Sequence, residues 1–214
     1  MSSTPVAVLS EDELDALTEL VNLGVSRAAL SLARMVREEV VLTVPKVALV
    51  GRKEAIRILA ERESKSLVAV HQTFEGDITG RALLIFPEER SLELVRSVVG
   101  EQLSLEEIVE LEQEALAETG NVILNGCLAT IANALERNLK ISLPEVLRGD
   151  SSSFFNLEPP PLGGAVVMFV YINFVLRRRD IDGYIAMMMD MPSLTTLQTL
   201  LSDLIRRTAG ASAG

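Results

Sequence analysis

Asp15, Glu19 and Asn22 stand at i, i+4 and i+7, and Pro45 follows 23 positions after the asparagine. Glu114, Glu118, Asn121 and Pro144 repeat the set with the same spacing, each 99 residues after its counterpart. On a helix of about 3.6 residues per turn, offsets of 0, 4 and 7 fall on one face. Each copy therefore displays a carboxylate and a carboxamide roughly one turn apart, pointing the same way. A carboxamide can orient an attacking water through its carbonyl oxygen and its N–H₂ group, as a glutamine does in small GTPases. A neighbouring carboxylate can ion-pair with a lysine in a partner's site and fix how the partner docks. With no nucleophile beside it, a Glu–Asn pair suits a hydrolysis in which most of the machinery belongs to another molecule.

The competing reading is a solvated helix face, which charged residues at i, i+4 spacing commonly form. Two features weigh against it. Asparagine is a poor helix former, and a helical glycine such as Gly24 costs about 1 kcal/mol relative to alanine. The second copy repeats the combination, with Gly120 beside Asn121 and Gly126 after it. Other chemistries lack their residues. His71 is the only histidine, and it lies within a strand pattern; no zinc set, Ser–His–Asp triad or Cys–His pair can be assembled around it. No phosphate-cradling glycine loop is present. The one cysteine, Cys127, lies at helical spacing among Leu124, Leu128 and Ile131 and reads as a small buried hydrophobe. A lone cysteine also suits a reducing compartment.

The 214 residues carry a net charge of −10, with 48% hydrophobic and 4% aromatic residues. That is globular composition, with a core built from aliphatic side chains. The negative charge disfavours nucleic acid and anionic membranes as partners. The N-terminus lacks a secretory pattern, and the apolar run Ala165–Leu176 is too short to span a bilayer. A cytoplasmic protein without membrane insertion is the expectation.

The elements that must hold the polar residues follow from periodicity and punctuation. Residues 11–39 read as an amphipathic helix opened by a Ser10/Glu13 capping box, with Leu17, Leu20, Val21, Ala28 and Leu32 as its buried stripe. Val40–Val44 reads as a strand stopped by Pro45, and 52–62 as a short helix. Leu67–Phe74 and Ile78–Phe86 form a hairpin, followed by a helix over Glu88–Val99 that Gly100 ends. A helical region runs from Ser104 to about Asn138, with a break expected near Gly120 or between 108 and 112. Leu139–Leu143 is a strand ended by Pro144, and 149–163 a connection with little regular structure. Strands at Ala165–Leu176 and Tyr184–Met191, a helix over Ser193–Arg207 and a frayed tail complete the chain. Asp77-Ile78-Thr79-Gly80 matches Asp180-Ile181-Asp182-Gly183, now 103 residues apart. The expected fold class is α+β: one domain over 1–214, built from two helix-strand-strand-strand-helix repeats (about 11–100 and 104–207). Pseudo-two-fold symmetry would pack the long helices on a mainly antiparallel sheet.

The pattern [DS]-x-x-x-E-x-x-N, then 22 residues and Pro, resembles the signature of the CheC/CheX/FliY phosphatases of bacterial chemotaxis. It reads Asp15, Glu19, Asn22, Pro45 and Glu114, Glu118, Asn121, Pro144. Two copies in a chain of this length look most like CheC, and the resemblance covers residues 11 to about 207. It implies hydrolysis of the aspartyl phosphate of a CheY-like response regulator, with Asn22 and Asn121 placing the water. Glu19 and Glu118 would contact the regulator's active-site lysine; Asp15, Pro45, Glu114 and Pro144 would support the motif. The regulator would supply its own Mg²⁺, so this chain would bind no cofactor. CheD is a further implied partner, and a monomer is expected. Glu114 departs from the pattern's Asp or Ser, and Arg27 is larger than the residue usual there. The rival reading is a binding module, a CheD-binding or FliM-like adaptor.

Overall fold

The computed structural model describes residues 9–37, 39–63, 66–99, 104–156, 165–176 and 179–211. The first half comprises α1 (Glu11–Val36), β1 (Val40–Gly51), α2 (Arg52–Arg62), β2 (Leu67–Gly76), β3 (Gly80–Pro87) and α3 (Glu88–Val99). The second comprises α4 (Leu105–Ala134), β4 (Leu139–Ile141), β5 (Glu145–Gly149), α5 (Ser151–Phe155), β6 (Ala165–Leu176), β7 (Arg179–Asp190) and α6 (Met191–Ala211). The fold is α+β, as its sequence predicts, and the duplication reaches detail that the motif alone does not carry. α2 begins at Arg52 and α5 at Ser151, again 99 residues apart; α3 begins at Glu88 and α6 at Met191, 103 apart. Among the described residues the non-glycine residues with positive φ are Arg37 and Glu136, both at 56°, each just past the end of a long helix and 99 residues apart.

Among the described residues seven strands form one sheet in the order β1-β6-β7-β3-β2-β4, with β5 also paired to β2 and every pairing antiparallel. The two hairpins, β2–β3 and β6–β7, meet at the centre through β3 and β7. The outer strands are exchanged. β1 of the first half flanks the second half's hairpin, and β4 and β5 of the second half flank the first half's hairpin.

Strand alternation sends side chains to two cores. Val68, Val70 and Phe74 of β2 and Ala82, Leu84 and Phe86 of β3 join α1, α3, α4 and α6 on one face. Leu67, Ala69, Leu83 and Ile85 join Ala55 and Leu59 of α2 and Phe154 and Phe155 of α5 on the other. Helices cover both faces, which accounts for strands as continuously apolar as Ala165–Leu176.

Proline acts differently from its sequence reading. β1 does not stop at Pro45; it continues to Gly51 with a register shift between Thr43 and Lys46. Pro144 does interrupt its strand, and the chain resumes pairing at Glu145. In both places the outer strand carries one residue more than the neighbour it pairs with. A residue with no N–H cannot join the ladder, so it is accommodated as a bulge, and edge strands tolerate that.

α4 does not break near Gly120 or between 108 and 112; it runs unbroken for 30 residues. A glycine costs about 1 kcal/mol in a helix. Leu116, Ile123 and Leu124 on either side are fully buried, and each such side chain contributes about 1.5–3 kcal/mol. Packing wins. The same burial answers a question of length: among the described helices α4 is apolar enough to cross a membrane, but 56% of its apolar window lies inside the protein. The segment expected to be irregular contains α5, capped by Asp150. β7 starts earlier than Tyr184, and α6 spans residues that read as a tail. Gly100 and residues 157–164 lie outside the described residues.

α1 and α4 cross where both carry small residues. A Cβ on Gly24 would lie 2.8 Å from the Cys127 Cα, and one on Gly126 would lie 3.0 Å from the Ala28 Cβ. Gly24→Ala should therefore destabilise the protein by about 1–2 kcal/mol despite a gain of about 1 kcal/mol in helix propensity, because backbone atoms must separate to admit the methyl. Chemical denaturation of the two proteins measures this; a stabilised variant would mean that the helices are not in contact there.

Candidate active site

α1 is held in place by its ends and its buried stripe. Ser10 and Glu13 form a reciprocal capping box, and Glu13 also accepts a hydrogen bond from Ser202 of α6 at 2.5 Å. Those bonds, Ser202 first, hold the Glu13 carboxyl below its ordinary range. Leu17, Leu20, Val21, Ala28 and Leu32 are buried, as their spacing predicts. Asp15 and Glu19 are exposed on the opposite side, with Asn22 half-buried at the boundary.

α4 repeats the arrangement. Ser104 and Glu107 cap it, Glu114 and Glu118 are exposed, and Asn121 is half-buried. Glu112, 7% exposed, receives Arg148 of β5 at 2.5 Å and Ser91 of α3 at 3.3 Å, tying the helix to the sheet edge and to α3. Neither asparagine is sealed within the interior. Pro45 and Pro144 sit where β1 bulges and where β4 gives way to β5.

The two copies differ around the amide. Gly120 lets α4 lie low over β2, where a Cβ would come within 2.5 Å of the Val70 side chain. Asn121 is thereby brought to Gln72, whose Nε2 donates to its Oδ1 at 3.2 Å; Asn125 Nδ2 donates to the same oxygen at 2.7 Å. Gln72 Nε2 also donates to the Ser142 carbonyl at 2.9 Å. Among the described residues, no side-chain partner is recorded for Asn22. Sequence reasoning did not single out Gln72, Asn125 or Ser142. The signal was present: in a strand that sends Val68, Val70 and Phe74 toward the helices, residue 72 is the polar exception on the inward side.

The alternative reactive groups are accounted for. His71 faces the other side of the sheet; burial first, then the Arg81 charge, lowers its pKa. Its Nδ1 lies 3.9 Å from Glu145. Among the described residues no group of three or more His, Cys, Asp or Glu is placed to hold a metal ion. Cys127 is fully buried in the helix crossing, and burial pushes its thiol up to about 12.

Crossed long helices thus lie on a seven-stranded antiparallel sheet, with an acid–amide pair toward the outside of each helix. The model of the CheX chemotaxis phosphatase family matches residues 68–156. The CheY-P phosphatase CheC of Bacillus subtilis (strain 168) is 25% identical over 141 residues, 64% of this chain and 67% of that protein. FliY of Thermotoga maritima shares the fold with a TM-score of 0.69 at 18% identity, covering 92% of this chain and 99% of that one. A chain of the FliM–SpeE complex of H. pylori has a TM-score of 0.64 at 10% identity, covering 92% and 97%. The chain is thus similar in sequence to the CheX family and to a CheC protein, and it shares its fold with FliY.

Since the thiolate is the reactive form, Cys127 should resist alkylation by iodoacetamide at pH 8 in the folded protein and react once denaturant unfolds it. Rapid labelling of the native chain would contradict its burial at the helix crossing.

Proposed function

We propose that this chain hydrolyses the aspartyl phosphate of a CheY-like response regulator, using Glu19 with Asn22 and Glu118 with Asn121. The observation that carries the reading is the paired display itself: two exposed glutamates and two half-buried asparagines, at identical spacing, on the outward sides of two long helices. The match to the CheX family model and the likeness to a CheY-P phosphatase support the same reaction. Each asparagine places a water in line with the phosphorus. The water oxygen forms a bond to phosphorus as the bond to the aspartyl oxygen breaks; the carboxylate departs with the bonding pair, and the water's proton ends on inorganic phosphate. Each glutamate pairs with the regulator's active-site lysine, which orients the complex. The regulator would hold the Mg²⁺ that neutralises charge developing on the phosphoryl group. Asp15 and Glu114 extend the acidic face that meets the partner, and the two repeats act together as one domain.

The rival assignment is an adaptor that binds CheD or a motor-switch component, favoured by the fold likeness to a chain of the FliM complex. The persistence of both Glu–Asn pairs supports the enzyme over it.

The deciding measurement is phosphate loss from phosphorylated regulator. Asn22→Ala and Asn121→Ala should each lower the rate partly, and the double variant should lose at least about 100-fold of the acceleration with its fold intact, since misplacing the water alone costs that much. A double variant as fast as the parent leaves the adaptor reading.

Docking should weaken as ionic strength rises from about 0.05 M to about 0.5 M, because exposed ion pairs are screened on that scale. The KM for the regulator should rise while kcat holds. A salt-independent KM would remove the glutamates from docking.

A further inference from the structure

Gln72 is wholly buried, yet it lies in the helix-facing row of an otherwise apolar strand. Its geometry is fixed by elimination. The Ser142 backbone carbonyl can only accept a hydrogen bond, so the Gln72 atom 2.9 Å from it is nitrogen. That nitrogen can only donate, so Asn121 must turn its oxygen toward it. The Asn125 atom 2.7 Å from the same oxygen is then nitrogen as well. A carbonyl oxygen has two lone pairs, and both are now filled. Asn121 is held with its oxygen inward, leaving its N–H₂ group as the part available to a partner.

We infer that Gln72 is a positioning residue for Asn121, with Asn125 as its auxiliary, and that the second site works with a fixed, donor-only amide while Asn22 is free to turn. This rests on the phosphatase reading above. Ser26 occupies the position in α1 that corresponds to Asn125, 99 residues earlier, and it is exposed. A water gripped by N–H₂ accepts through one lone pair and keeps the other for phosphorus.

Stability does not explain the arrangement. Gln72 Oε1 and Asn125 Oδ1 are buried and have no hydrogen-bond partner among the described residues. Leaving such atoms unpartnered is costly, whereas an apolar side chain of the same shape would carry no such cost. A buried amide with one end unsatisfied, whose other end grips the water-placing residue, is an arrangement that serves orientation.

The test separates the two sites with single-site backgrounds. In Asn22→Ala protein, where only the second pair remains, Gln72→Met should lower kcat about tenfold while KM for the phosphorylated regulator changes less than about twofold. Asn125→Ala should lower kcat in the same direction by a smaller factor. In Asn121→Ala protein the Gln72→Met effect should stay below about twofold, and the melting temperature should not fall. Equal losses in both backgrounds, or no loss in the Asn22→Ala protein, overturns the proposal. A second readout is independent of catalysis: the side-chain ¹⁵N–H₂ signal of Asn121 should show restricted motion that Gln72→Met releases. An amide equally mobile in both proteins also overturns it. If the parent hydrolyses nothing, the phosphatase reading falls, and the amide signal still decides whether the clamp exists.

Discussion

The close approach of α1 and α4 is the constraint on which the rest of this molecule depends. Gly24 meets the backbone at Cys127, and Gly126 meets Ala28, with no room for a further carbon between them. Two helices of 26 and 30 residues can share one face of a seven-stranded sheet because small residues let them touch where they cross. Larger side chains would lift one helix from the sheet. Gly120 applies the same principle downward, lowering α4 onto Val70. Backbone proximity therefore fixes both the relation between the helices and the depth of the second one. The polar residues on their outer sides inherit that geometry without contributing to it.

Around the crossing, the two halves are alike in plan and unlike in detail. Both helices begin with a serine–glutamate capping box, and each is followed by a residue with φ of 56°. Both outer strands carry an extra residue at the proline. The differences gather at the amides: one lies over a buried glutamine and beside a second asparagine, and the other has an exposed serine at the matching place. A duplication that keeps its frame can diverge in the few side chains beneath each motif, because those residues bear little of the frame's packing.

Much of this was legible in the chain. The 99-residue spacing, the Ser10/Glu13 capping box and the buried stripe of α1 are local or periodic, and the structure reproduces them; α2 and α3 match their expected limits. What escaped was decided by tertiary contact. A 30-residue α4 through Gly120 follows from burial of Leu116, Ile123 and Leu124, which no single window weighs against the glycine. Pro45 reads as a stop, yet at a sheet edge it needs only a bulge. α5 hid in a serine- and proline-rich stretch, and its partner α2 was the clue, since a repeat that places a helix at Arg52 calls for one at Ser151. Of the candidate site, the placement of Glu19, Asn22, Glu118 and Asn121 toward the outer sides of two long helices was readable from spacing. The Gln72 layer was not, because it belongs to a strand 49 residues away from Asn121 in the chain.

The exchange of outer strands carries a consequence for assembly. A solitary copy of the first repeat would have a two-stranded hairpin with both flanks bare and a leading strand with nothing to lie against. Such a unit can be completed only by a second copy that offers the reciprocal strand. Joining the copies end to end turns that encounter into an event within one molecule, at an effective concentration set by the connector rather than by the cell. Tandem fusion thus makes the sheet independent of protein abundance, and it frees each long helix to change without a matching change in its twin.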